Sequence, residues 1–220
     1  MIICIEGIDG SGKATQALKL EERLKQEGIK TRIFSFPNYN SITGREIKKY
    51  LNGEFGDPKI IHPNLIFPWY ALNRRELLRE IRKVDMSGIV ILDRWVESNL
   101  AFQAGKKEGK EREETIRLIE HIEYDILELP RPNMIIYIDI PVDKAIERIK
   151  KRSEKNNVKL DQHEHKEFLE NVRKTYLELA KRDSWIIVNS IDNGRERTIE
   201  EIHEEIYEKV INMYRKWKEN

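Results

Sequence analysis

A short stretch near the start constrains this chain more than any other. Residues 2–6 (IICIE) form a short apolar run that reads as a buried strand. It leads directly into Gly7-Ile8-Asp9-Gly10-Ser11-Gly12-Lys13-Ala14-Thr15. The spacing Gly-x4-Gly-Lys is that of a phosphate-binding loop. Glycines let successive backbone N–H groups converge on phosphate oxygens. The helix expected from Gly12 to Glu27 adds its dipole behind them. Lys13 places a point charge on the β- and γ-phosphates. Such a loop needs a strand before it and a helix after it, so the chain is α/β from its first residues. One position departs from the pattern. Ala14 stands where a Ser or Thr hydroxyl would ligate Mg²⁺. Either carboxylates, water and the phosphates hold the metal instead, or the site binds nucleotide without turnover.

The alternation continues along the chain. Further strands are expected over 31–36, 89–93, 134–139 and 185–188. Helices are expected over 42–52, 63–86 with an early interruption at Pro68, 97–104, 112–128, from 142 onward and over 162–182. Ile199, Ile202, Ile206, Val210, Met213 and Trp217 mark a long amphipathic C-terminal helix. Gly28 is expected to stop the first helix in a left-handed cap. Continuous apolar strands alternating with helices imply a parallel sheet covered on both faces. The segments 104–112 and 153–161 are polar and unpatterned and read as mobile loops inside one domain, residues 1–220.

Composition narrows the function classes. Basic and acidic residues number 40 and 39, a net charge of +1, which weakens the case for a nucleic-acid partner. Cys4 is the only cysteine, so an intrachain disulfide is impossible and so is a cysteine zinc cage. No apolar run is long enough to span a membrane, and MIICIEGIDG lacks the basic and apolar regions of a signal peptide. A cytoplasmic location is the expectation.

Several segments fall into register with the loop. The second strand ends in Phe36-Pro37-Asn38-Tyr39. The long helix carries Tyr70-Ala71-Leu72-Asn73-Arg74. The third strand ends in Asp93-Arg94-Trp95, followed by Ser98-Asn99-Leu100-Ala101-Phe102-Gln103. The fourth reads RPNMIIYIDIP and precedes a basic helix, then Asp161-Gln162-His163-Glu164 and YLELA. In this order and spacing the chain resembles the thymidylate kinases over nearly its whole length. The resemblance implies the P-loop nucleoside monophosphate kinase fold, with five parallel strands in the order 2-3-1-4-5 and right-handed crossovers. It implies ATP, Mg²⁺ and dTMP as reactants and a homodimer joined through helices, to which 63–86 and 97–104 would contribute.

The resemblance also assigns roles. Asp9 would lie between donor and acceptor, near the acceptor ribose and the metal. Gly7 through Thr15 would bind ATP. Phe36 and Tyr39 would line the acceptor side, although Phe36 also suits plain strand-end packing. Tyr70 would stack on thymine, in the place of a family phenylalanine, unless it is simply core. Arg74, one helical turn on, would donate to a thymine carbonyl. Ser98 and Asn99 would flank the pyrimidine, Phe102 would crowd the sugar's 2′ position, and Gln103 would assist at the base edge. Arg94 would clamp phosphates, with Asp93 orienting it or holding a metal-bound water. Gly10 occupies the position where some relatives carry a catalytic arginine in the loop. The lid at about 148–162 must then supply one. Arg152 is the first choice, with Arg148 on the ATP side. Glu164 matches a family glutamate near the metal.

Three other readings compete. One is a kinase for another nucleoside monophosphate or for a deoxynucleoside. A second is a nucleotide-binding regulator without turnover, motivated by Ala14. The third is a nucleic-acid-handling P-loop ATPase, which wants a basic surface that this chain lacks.

Overall fold

A computed structural model describes residues 1–57, 60–156 and 166–219. Strands β1 (Ile2–Glu6), β2 (Thr31–Ser35), β3 (Ile89–Asp93), β4 (Met134–Asp139) and β5 (Trp185–Asn189) form one parallel sheet in the order β2-β3-β1-β4-β5. The order expected from the resemblance is the order found. A two-residue hairpin, β6 (Ile191–Asp192) with β7 (Arg195–Glu196), follows β5. It is too short to announce itself in the sequence.

Side chains alternate across a strand, and β1 feeds a separate core on each face. Ile3 and Ile5 join Ala17, Leu20 and Leu24 of α1 (Lys13–Gln26) and Ile202, Ile206 and Val210 of α9 (Ile199–Glu219). Ile2 and Cys4 face the opposite layer. That layer holds α4 (Leu78–Asp85), α5 (Val96–Ala104), α7 (Val142–Asn156) and α8 (Lys166–Leu179). The central strand is buried at every position, so the loop that follows it leaves a rigid base.

Most elements lie where the periodicity puts them. The backbone N–H of Gly28 donates to Lys25 O at 3.0 Å and that of Ile29 to Leu24 O at 2.9 Å, with φ of Gly28 at 77°. That is the left-handed cap read from the glycine. Four differences stand out. The single helix expected over 63–86 divides at Leu77 into α3 (Pro63–Glu76) and α4. Pro68 does not interrupt α3, which gives up one backbone hydrogen bond there. The helix expected over 112–128 starts earlier, as α6 (Gly109–Glu120), and passes into a π-helical turn over His121–Ile126. Finally, α7 extends to Asn156, so residues 153–156 are helical rather than loop. Short α2 (Ile42–Leu51) packs on α3, capped by the Ser41 hydroxyl, which accepts from Gly44 N. Among the described residues, no helix is long and apolar enough to cross a membrane.

Candidate active site

The loop between β1 and α1 is built to receive an anion. Gly12, the N-cap of α1, offers no side chain, and the first turn of α1 contains no acidic residue. The N–H groups and positive end of that helix are left for a ligand. Gly10 has φ 81°, and a Cβ there would stand 2.5 Å from the carbonyl oxygen of Ala145 on α7. No side chain fits that space, which gives a steric reason for the missing loop arginine. Lys13 is buried, with Nζ 3.4 Å from Ile8 O and 3.7 Å from Asp9 Oδ1. Burial lowers its pKa to about 8, helped by the Arg94 charge; Asp9, Asp93 and Glu6 pull the other way. Ala14 and Thr15 are exposed at the start of the helix.

Arg94 closes the mouth of the loop. Its Nη2 donates to Asp9 Oδ1 at 2.6 Å, and its Nη1 donates to Gly7 O and to Ser98 Oγ, both at 3.3 Å. Burial works against its charge, but Asp9, Glu6 and Asp93 outweigh burial and raise its pKa. Its backbone is left-handed, with φ 69°, a conformation that costs an ordinary residue on the order of 1–2 kcal/mol. Asp93 does not pair with Arg94, and its Oδ1 is buried without a hydrogen-bond partner. A buried carboxylate oxygen lacking a donor fits a cation or an ordered water.

Glu6, which reads in the sequence as the end of an apolar strand, holds this turn in place. It is fully buried. Its Oε1 accepts from the backbone N–H of Trp95 at 2.7 Å, and its Oε2 accepts from Ser98 Oγ and Tyr176 Oη, each at 2.7 Å. One carboxylate thus joins the strand before the loop, the strained turn at Arg94 and helix α8. The charge in an otherwise apolar strand was the available signal. Ser98 therefore acts through Arg94 and Glu6, with its hydroxyl proton spent internally.

Tyr70 is half-buried on α3, and Arg74 and Asn99 are buried in the chain's interior. Arg74 Nε and Nη2 donate to Glu123 of the π-helical turn, both at 2.7 Å. Asn99 Nδ2 donates to the same carboxylate at 2.7 Å and to Phe67 O at 3.1 Å. Glu123 could not be singled out from the sequence, because ordinary helical periodicity does not register a π-turn. Phe36 is a core residue, its ring 5.2 Å from that of Trp95. Tyr39 is exposed. Phe102 lies under Arg94, whose guanidinium carbon is 4.9 Å from the ring centre. Gln103 is buried, with Oε1 lacking a partner.

Asn73 ties the loop after β2 to α3. Its Oδ1 accepts from Asn38 N at 2.8 Å, and its Nδ2 donates to Ser41 Oγ at 2.8 Å and to Thr43 Oγ1 at 3.1 Å.

Of the expected lid residues, Arg148 reaches the loop. Its Nη1 donates to Gly10 O at 3.2 Å, while Nε and Nη2 donate to Glu196 of β7. Arg152 is exposed one turn further along the same face of α7. Residues 157–162 of the expected lid, and Glu164, lie outside the described residues. The one cluster of three metal-ligating side chains among the described residues is Cys4, Glu6 and Glu97, which is buried beneath the turn and away from solvent.

The match to known proteins agrees with this architecture. The thymidylate kinase family model matches residues 5–206. A thymidylate kinase of Fervidobacterium nodosum is 33% identical over 217 residues, 97% of this chain and 100% of that protein. One from Halothermothrix orenii is 32% identical over 213 residues, 96% of each chain. A probable thymidylate kinase of Archaeoglobus fulgidus is 31% identical, covering 100% of this chain and 99% of its own. A solved thymidylate kinase structure from Candida albicans superposes with a TM-score of 0.71 at 22% identity, over 97% of this chain and 92% of that one.

Proposed function

This chain belongs to the thymidylate kinase family and carries that activity, the transfer of a phosphoryl group from ATP to dTMP, and we propose how its own residues divide the work. The observation that carries the reading is the Arg94–Asp9 pair at the mouth of the phosphate loop.

Phosphoryl transfer asks for alignment and charge neutralisation rather than covalent chemistry. The loop N–H groups from Gly7 to Thr15 and the Lys13 ammonium hold the donor phosphates. Arg94 is oriented by Asp9 and presents its fork to the acceptor phosphate. Asp9 stands between the reactants. Arg148 rests over the loop on the ATP side, and Arg152, a turn further along α7, enters when the lid closes and water is excluded. Tyr70 stacks on the base, Arg74 and Asn99 read its edge, Phe102 stands against the sugar, and Phe36 and Tyr39 border the acceptor loop.

Mg²⁺ fits the residues present. Magnesium is commonly held by one or two carboxylates with water and substrate phosphates. Asp93, with an unpartnered buried oxygen, and Asp9 meet that description, and Glu164 would join them. Ala14 then costs one hydroxyl ligand and not the site. When bound, the ion neutralises charge that develops on the transferred group.

The proposal includes a homodimer and a cytoplasmic setting. Leu65, Trp69 and Leu72 form an exposed apolar stripe on α3, at 66%, 37% and 46% exposure, and Phe55 packs beside Trp69. A stripe of that kind favours a partner. By contrast α5 is buried within its own chain and has little surface to offer.

The test is ADP release with ATP and Mg²⁺ against a panel of nucleoside monophosphates. Turnover strongest with dTMP is expected. Stronger turnover with another monophosphate would remove the base-reading assignments.

A further inference from the structure

We infer that Glu123 is a specificity-determining positioning residue, which sets the donor–acceptor order that Arg74 and Asn99 show to the pyrimidine. The inference rests on the proposal that those two residues read the base, and goes one layer behind it.

The turn His121–Ile126 is π-helical, a geometry that occurs mostly as single turns at functional sites. Within it His121 and Asp125 are exposed and paired with each other, while Glu123 is fully buried. The turn therefore delivers the Glu123 carboxylate to the interior, with Tyr124 buried beside it, and leaves His121 and Asp125 in solvent.

That carboxylate decides two orientations at once. The Arg74 fork spends its Nε–Nη2 edge on Glu123, leaving Nη1 as the donor not committed to that pair. The Asn99 amide faces two groups that can only accept, the Glu123 carboxylate and the Phe67 carbonyl. Only the Nδ2 end satisfies them, so Oδ1 must point the other way. The edge offered beyond Glu123 is thus one donor from Arg74 beside one acceptor from Asn99.

Thymine and uracil present the complement, a carbonyl O4 acceptor beside an N3–H donor. Cytosine presents the reverse, an amino donor beside an N3 acceptor. With the amide fixed, cytosine would set donor against donor and acceptor against acceptor in a buried place, where unpaired polar groups are costly. Without the Glu123 carboxylate, the Arg74 fork can rotate and the Asn99 amide is held by the Phe67 carbonyl alone. The donor–acceptor order is then weakly fixed, and discrimination against cytosine falls.

The test compares kcat/KM for dTMP with kcat/KM for dCMP in Glu123→Gln. We expect the dTMP preference to shrink at least tenfold, mainly through a higher KM for dTMP, with KM for ATP unchanged. A change in overall stability alone would not move that ratio. Glu123→Gln leaves the buried Arg74 charge uncompensated. If that variant does not fold, Glu123→Asp serves, because it keeps the charge but is too short to hold Arg74 and Asn99 together. The same shift in smaller measure is then expected. A folded variant with an unaltered ratio overturns the inference. Arg74→Met and Asn99→Ala run alongside separate the two layers. Relaxed selection in both, with none in the Glu123 variant, would remove Glu123 alone. Unaltered selection in both would remove the base-reading proposal and this inference with it.

Discussion

Arg94 Nη2 meets Asp9 Oδ1 at 2.6 Å, and the arginine reaches it from a left-handed backbone. The loop carboxylate and the strand-end guanidinium are thus locked together before any substrate arrives. Glu6 holds the turn from below through the Trp95 N–H and the Ser98 hydroxyl. Preorganised charge of this kind needs no rearrangement at the moment of transfer.

Asp9→Asn keeps the shape of the side chain and removes its charge. Turnover with dTMP is expected to fall on the order of 100-fold, a typical loss for one preorganised electrostatic contact. The KM for ATP should change far less. Steady-state kinetics decide the matter, and unchanged turnover would take Asp9 out of the reaction.

At position 94, glycine and alanine should part company. Both variants lose the proposed phosphate clamp, with turnover expected to drop by about 1000-fold or more. Glycine adopts φ 69° freely and alanine does not, so Arg94→Gly should be more stable than Arg94→Ala by about 1 kcal/mol. Thermal melts of the two, side by side, measure the difference. Equal melting temperatures would mean that the turn relaxes once the guanidinium is gone.

Lys13 makes the free enzyme sensitive to alkali. Burial and the nearby Arg94 hold its pKa at about 8, so it loses its charge above that pH. Because kcat/KM reports ionisations of the free enzyme, kcat/KM for ATP should decline above about pH 8. At saturating ATP the decline in kcat should move to higher pH, since bound phosphates favour the ammonium. A profile for kcat/KM that stays flat well beyond pH 8 would contradict the burial argument.

Glu97 ties stability to pH. Burial first, and then the neighbouring Glu6, push its pKa from 4.5 up to about 7, against the hydrogen bond from Tyr124. The folded chain therefore holds this proton more tightly than the unfolded chain does. The stability that Glu97 contributes is fully present below about pH 4.5 and is lost as pH rises through about 7. The full swing is on the order of 3 kcal/mol. Denaturant melts across that range should show the slope in the natural chain and a shallower one in Glu97→Gln. Parallel slopes would place the ionisation elsewhere.

The sequence carried more of the frame than of the site's support. The five apolar strands, the loop and the Gly28 cap lie where the residues put them, because burial and backbone geometry are local properties, whereas the sheet order was legible only through the family resemblance. The side chains proposed to touch substrate, Asp9, Lys13, Arg94, Arg74 and Asn99, stand out through the loop motif and the family resemblance. The groups that hold those side chains were not. Glu6 hides in an apolar strand, Glu123 depends on a π-turn, and Asn73 meets a loop about 35 residues earlier in the sequence. Such partners are set by tertiary approach, which neither periodicity nor motif records. Phe36 shows the converse, a motif position whose ring belongs to the core.

Asn73 and Arg74 are consecutive, yet their side chains engage different parts of the chain. One side chain clasps the loop that bears Tyr39, and the next faces the region assigned to the base. Loop and helix cannot slide past one another without breaking a buried amide's hydrogen bonds. The chain therefore works as a caliper with locked jaws, the loop after β2 and the buried Arg74–Glu123 pair held at a fixed spacing.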